Sequence, residues 1–128
     1  MILSNGKIAM TYVDGFVVPV PRKNLKAYRS MARKAGKVWR EHGALEYREC
    51  VADDVKKGKL TSFPRSVQLK PSETVVFSWI VYKSRAQRNR VLKKVMADKR
   101  LAAMMNPGAM PFDGKRMIYG GFKTMLEL

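Results

Sequence analysis

His42 and Cys50 are the only histidine and the only cysteine in 128 residues, so the side chains able to do neutral-pH chemistry are few. A histidine that faced a pocket could act as a general base. His42 stands immediately before Gly43, in the last turn of a helical pattern, where its ordinary role is to complete the helix end by meeting carbonyls. Cys50 lies in the alternating segment Tyr47-Arg48-Glu49-Cys50-Val51, where a thiol is usually a small, half-buried hydrophobe rather than a reactive group. These counts exclude an intramolecular disulfide, a Cys/His zinc cluster and a haem held by two histidines. Asp113-Gly114 reads as a turn and not a metal loop, since no neighbouring carboxylates supply further ligands. Neither G-x-G-x-x-G nor G-x-x-x-x-G-K-[ST] occurs, and Gly120-Gly121 falls in a strand pattern, where a bulge or close backbone approach is the ordinary reason. No metal and no cofactor are expected.

The elements that must position these residues follow from hydrophobic spacing. Thr11 to Val20 is β-rich and ends among Pro19 and Pro21, which predicts a first strand. Leu25, Tyr28, Ala32, Ala35, Trp39 and His42 recur at spacings of 3, 4, 3, 4 and 3, one stripe of a helix that Asn24 can cap and Gly43 can end. Ala44 to Val51 resumes a strand pattern, and Ser66 to Lys70 suggests a short further strand. Glu73 to Tyr82 is an almost continuous apolar run of strand length, expected at the centre of a sheet. Ser84 is placed to cap a second helix burying Val91, Leu92, Val95 and Met96, followed by a short helical piece through Leu101 to Met105 and a last strand from Arg116 to Leu126.

The order β, α, β, β, α, β predicts a ferredoxin-like α+β domain: a four-stranded antiparallel sheet with two helices on one face. Val13, Phe16, Val17 and Val18, then Phe77, Trp79 and Ile80, put apolar side chains on both parities of the strands. The second face therefore needs a cover, and a second copy gives a dimeric α+β barrel about a two-fold axis. A chain of this length fits one domain. The expected organisation is a leader or added extension at Met1 to Ala9 and a single domain over 10–128. No apolar run approaches the roughly 18 residues of a membrane span, and the N-terminal stretch lacks a secretory pattern, so a cytoplasmic place is the default.

Three strings carry a family resemblance: Tyr12-Val13-Asp14-Gly15-Phe16-Val17-Val18-Pro19-Val20, Glu73-Thr74-Val75-Val76-Phe77-Ser78-Trp79-Ile80, and Met110-Pro111-Phe112-Asp113-Gly114-Lys115-Arg116-Met117-Ile118-Tyr119-Gly120-Gly121-Phe122. Together they resemble the YbaA-like family, domain of unknown function 1428, from Met10 to the C-terminus. The resemblance implies a dimeric α+β barrel. It implies no activity and no catalytic residues.

The charge pattern stands apart. Lys and Arg number 26 against 10 Asp and Glu, a net charge of +16. Arg22, Lys26, Arg29, Arg33, Lys37 and Arg40 form a second helical stripe at spacings of 4, 3, 4, 4 and 3, read as lying opposite the apolar one. Arg85 and Arg88 add cations at the start of the second helix, where the macrodipole favours acids. Such a surface attracts polyanions nonspecifically, and the aromatic string by which ferredoxin-like sheets read RNA is missing. A surface deliberately supercharged by design would leave this pattern; so would a natural basic protein that binds a polyanion.

Asp14, Trp79, Arg116 and Tyr119 come from strands that the fold brings near one another and, with His42, are the candidate ligand-binding residues of the barrel interior. The equally ordinary readings are an Asp14–Arg116 ion pair and a core tryptophan. Three functional classes follow: a protein of unassigned activity holding a small molecule in the barrel, a polyanion-binding or electrostatic assembly module, and a cofactor-free monooxygenase-like enzyme by fold analogy alone.

Overall fold

The computed structural model describes residues 10–128, and the expected leader lies outside them. The strand and helix patterns become β1 Tyr12–Pro21, α1 Leu25–Glu41, β2 Glu46–Val51, α2 Phe63–Ser66, β3 Glu73–Tyr82, α3 Arg85–Met96, α4 Lys99–Met104 and β4 Ile118–Lys123. The strands form one sheet in the order β2-β3-β1-β4, every neighbouring pair antiparallel. This is the expected α+β architecture, with the apolar run of β3 and the Val-rich β1 at its centre. Pro19 is tolerated in a central strand because β4 pairs only with Tyr12 to Val17, so no neighbour on that side needs its missing N–H.

Register puts the even-numbered residues of β1 and β3 toward the helices. Val18, Val20 and Val76 meet Tyr28 and Ala32 of α1; Ile80 and Tyr82 meet Ala35, Val38, Val91, Val95 and Leu101. Each such fully buried Val or Leu contributes about 1.5–3 kcal/mol relative to exposure. Gly36 lets α1 approach β2 closely, since a Cβ there would stand 2.7 Å from the Tyr47 ring. Gly43, at φ +118°, ends the helix turn as its position predicts. Ser84 Oγ caps α3 by accepting from the Gln87 amide at 3.1 Å.

Several expectations are corrected. Asn24 sits at the N-cap of α1 but caps nothing: a 3-10 turn over Arg22–Asn24 precedes the helix, and the Asn24 amide donates to the Pro111 carbonyl at 3.4 Å. Ser66 to Lys70 is no strand. Ser62 starts α2 by accepting from the Arg65 amide, Pro64 fits the first turn, and Gln68 then takes a positive φ of 48°. Val67, just past the end of α2, packs on Val17 and Val75, so this excursion covers one end of the sheet's other face. Met96 is 57% exposed, because α3 reaches the sheet through Val91 and Val95 and ends there. Beyond the excursion the open face presents Phe77, Ile118 and Phe122.

Candidate functional site

The five candidate ligand-binding residues do not assemble into one site within the protomer. Asp14 is buried under α3, where the Arg88 Nε lies 3.8 Å from its carboxylate and Tyr82 bonds it. Burial pushes its pKa up against the pull of Arg88. The expected Asp14–Arg116 pair is absent, since Asp14 lies near the start of β1 while Arg116 stands at its far end beside Glu73, the register partner of Pro21. There Arg116 reaches Glu73 at 2.6 Å, Asp113 at 2.8 Å and the Gln68 carbonyl at 3.0 Å. Trp79 is on the sheet's open face, its ring 5.6 Å from the Arg48 guanidinium. Tyr119, 72% exposed, stacks on Phe16 at the β4 edge. His42 Nε2 meets Asp98 Oδ2 at 2.9 Å rather than the helix carbonyls; the Arg40 guanidinium takes the Ala44 and Leu45 carbonyls instead.

A half-enclosed cavity of about 140 Å³ lies between α1 and the sheet, and of the five candidates only Trp79 lines it. Phe16, Val18, Met31, Ala35 and Trp39 line it, and the segment between α4 and β4 closes it with Met110, Phe112 and Met117. Phe112 stands edge-on to Tyr28, ring centroids 5.7 Å apart, which fixes that closure against α1. The wall is apolar except for Ser78, Arg48, Glu49 and the two tyrosines that hold Glu49. Tyr28 donates to Glu49 Oε1 at 2.8 Å and Tyr47 to Oε2 at 2.9 Å. Burial, then the neighbouring carboxylate, drive both phenol pKa values far above the ordinary range, so both remain donors. A carboxylate with both oxygens engaged is a fixed acceptor, able to orient a ligand N–H or O–H. Flexible thioethers around it adapt to varied apolar shapes.

Glu49 and its tyrosines were not among the candidate residues. Glu49 shares its strand parity with Tyr47, and an acid on an inward parity is the signal that could have found it. In the sequence, Tyr28 is marked only as one member of the apolar stripe.

On the other side of the same wall lies an open groove of about 1390 Å³ between α1 and β2, lined again by Tyr28, Tyr47 and Glu49. All six cations of the stripe line it. The stripe does not oppose the buried face: at about 100° per residue their mean directions differ by about 130°, which turns the cations toward β2. Among the described residues, Lys26, Arg29, Arg33 and Lys37 make no ion pair, while the groove's acids are engaged: Glu41 with Arg100 at 2.6 Å, Glu46 with Arg48 at 3.2 Å, Glu49 with the tyrosines. Arg85 is exposed as expected. Arg88 is not part of any polyanion surface, for it folds inward with its guanidinium 5.1 Å from the Tyr12 ring.

These features define a ferredoxin-like α+β protein with an apolar pocket between helix and sheet. A solved structure described as a dimeric ferredoxin-like protein from an uncultured marine organism matches it with a TM-score of 0.51, over 93% of this chain and 99% of its own, at 12% identity. Residues 11–114 match the family described as protein of unknown function (DUF1428). Over 118 residues, 92% of this chain and 99% of the relative, the sequence is 49% identical to uncharacterized protein YbaA of Escherichia coli K12, and equally to that of Shigella flexneri. The chain belongs to the DUF1428 family. The matches bear out the resemblance carried by the three strings; they do not bear out a surface supercharged by design. Among the described residues, no helix is long and apolar enough to cross a membrane, and no three His, Cys, Asp or Glu gather as metal ligands.

Proposed function

We propose that the protein is a homodimeric α+β barrel that binds a small, ring-sized apolar molecule in the cavity between α1 and the sheet, oriented by a hydrogen bond to Glu49. The observation that carries this reading is the half-enclosed 140 Å³ space whose mainly apolar wall, interrupted by Ser78 and Arg48, holds one tyrosine-bound carboxylate. An apolar protein cavity of about 150 Å³ is large enough to take benzene. The ligand site of this reading is inside each protomer, not in the interior shared by two sheets. Dimerisation draws support from the open face, where Phe77, Ile118 and Phe122 are all at least 40% exposed, and from the solved ferredoxin-like relative described as dimeric. Crystals soaked with indole, whose N–H matches the Glu49 acceptor, should show the ring beside Glu49. Density confined to the surface would refute the reading. Sedimentation should give a dimer at micromolar concentration.

A second reading is favoured by the six cations along the groove: attraction of polyanions through charge alone. Such binding would weaken steeply as salt rises, whereas the cavity ligand would be insensitive to it.

A further inference from the structure

The groove offers more than charge. In the order β2-β3-β1-β4, β2 is an edge strand, with no strand beyond it among the described residues. The Ala52 amide donates to the Val75 carbonyl at 2.9 Å, one step beyond the last pair of the ladder, Val51 with Val76. Alternate residues of a strand point their amides the same way, so Cys50 and Arg48 also face β3; the Leu45 amide, which reaches the Val81 carbonyl at 2.7 Å, precedes the strand and is one residue out of this register. The amides and carbonyls of Tyr47, Glu49 and Val51 consequently face outward along the groove.

α1 and β2 run antiparallel, joined through the short turn at His42 to Leu45, so the cations of α1 follow the whole length of this edge. Successive turns of the stripe are about 5.4 Å apart along the helix. Every second side chain of an extended peptide is spaced about 6.7 Å. A row of carboxylates on one side of a strand lying against β2 would thus face the row Lys26, Arg29, Arg33, Lys37. Between them, Leu25, Ala32 and Val76 give an apolar floor for the intervening side chains.

We propose that this groove binds an extended acidic peptide segment of a partner protein, which adds a fifth strand at the β2 edge and sets its carboxylates against the α1 cations. The occupant is not a second copy of this chain, whose longest acidic run is Asp53-Asp54, too short to set carboxylates along the row of cations. A single-stranded nucleic acid fits less well. Such ligands use exposed aromatic rings as stacking platforms, and the groove's aromatics, Tyr28 and Tyr47, have their hydroxyls committed to Glu49 and their rings packed in the core clusters. Strand addition instead supplies main-chain hydrogen bonds that an edge is built to accept.

The test uses the full chain at physiological salt, with a labelled peptide of alternating Glu and Val and an oligothymidylate of the same net charge. The peptide should bind at least tenfold more tightly than the oligonucleotide. Amide hydrogen exchange at Tyr47, Glu49 and Val51 should slow at least tenfold with the peptide and remain unchanged with the oligonucleotide. The triple variant Lys26→Glu/Arg33→Glu/Lys37→Glu, whose positions are exposed and outside the core, should keep its fold and lose the peptide. No peptide binding, binding without protection in β2, or equal affinity for the oligonucleotide would each overturn the proposal.

Discussion

The cavity and the groove are the two sides of one wall, and they differ in nearly every physical respect. The inner space is the more enclosed, mainly apolar and about 140 Å³; the outer is more open, cationic and about ten times larger. Tyr28, Glu49 and Tyr47 belong to both. One helix serves both spaces because its buried and cationic stripes lie about 130° apart instead of opposite. Recognition inside depends on shape and one hydrogen bond, so it resists salt. Recognition outside depends on charge and fades with it. Proximity along the chain therefore does not imply a shared ligand or a shared response.

Four variants separate the two regions or show that they share a scaffold. Arg116→Met strips the carboxylate of Glu73, whose side chain is 4% exposed, of its cation. The loss should be about 3 kcal/mol, or roughly 12 °C in melting temperature for a chain this size, with neither region's ligand preference altered in the protein that remains folded. The same contact governs acid stability. Hydrogen bonds from Arg116 hold the Glu73 and Asp113 pKa values below their ordinary ones, and Arg100, then His42, do so for Asp98. Folded values below unfolded ones mean that the stabilisation is present above about pH 4.5 and is lost as pH falls through the folded values. Asp14, raised by burial, acts in the opposite sense and loses its contribution as pH rises through the carboxylate range. Because three of these four groups are lowered, melting temperature should fall on acidification below about pH 4, and less steeply in Arg116→Met.

Gly36→Leu drives a side chain into the Tyr47 ring and should cost about 2 kcal/mol through overpacking. Because Tyr47 is part of the common wall, both kinds of binding should weaken together; retention of either would show that the wall is not shared. Ala35→Leu instead places extra methyl groups in the cavity and should change stability by less than about 1.5 kcal/mol, since the added volume has space to occupy. Ligand binding inside should vanish while peptide binding in the groove persists, as calorimetry of the two ligands would show. The triple reversal of Lys26, Arg33 and Lys37 to Glu should leave the inner ligand untouched. It should raise low-salt stability by only a few tenths of a kcal/mol per relieved pair, a change visible in denaturant titrations and absent at high salt.

Much of the fold was legible because it depends on local pattern: the apolar run of β3, Ser84 before its helix, Gly43 after α1. The excursion was misread where five residues, Ser66 to Lys70, have strand-like composition, yet Ser62 and Pro64 just upstream had already set a helical turn. The site was less legible for a different reason. Asp14 faces Arg88 instead of Arg116 only because of strand register, in which Asp14 opposes Ile80 and Gly121. Tyr28 and Glu49, 21 residues apart, meet because Gly36 allows α1 to close on β2. The periodicity of the cation stripe was visible, whereas its consequence depended on the angle between two stripes and on which strand forms the edge.

On the proposed reading, the cavity between α1 and the sheet takes a small apolar ligand independently of the basic surface. The most direct measurement is the melting temperature of the native chain and of Ala35→Leu, each with and without indole, at low salt and at about 1 M salt, where the screening length is roughly 3 Å. At a hundredfold excess over Kd, the native chain should gain roughly 2.7 kcal/mol of stability at both salt concentrations. Ala35→Leu should gain nothing at either. Stabilisation that disappears in high salt, or that survives in Ala35→Leu, would place the ligand outside the cavity and contradict the account.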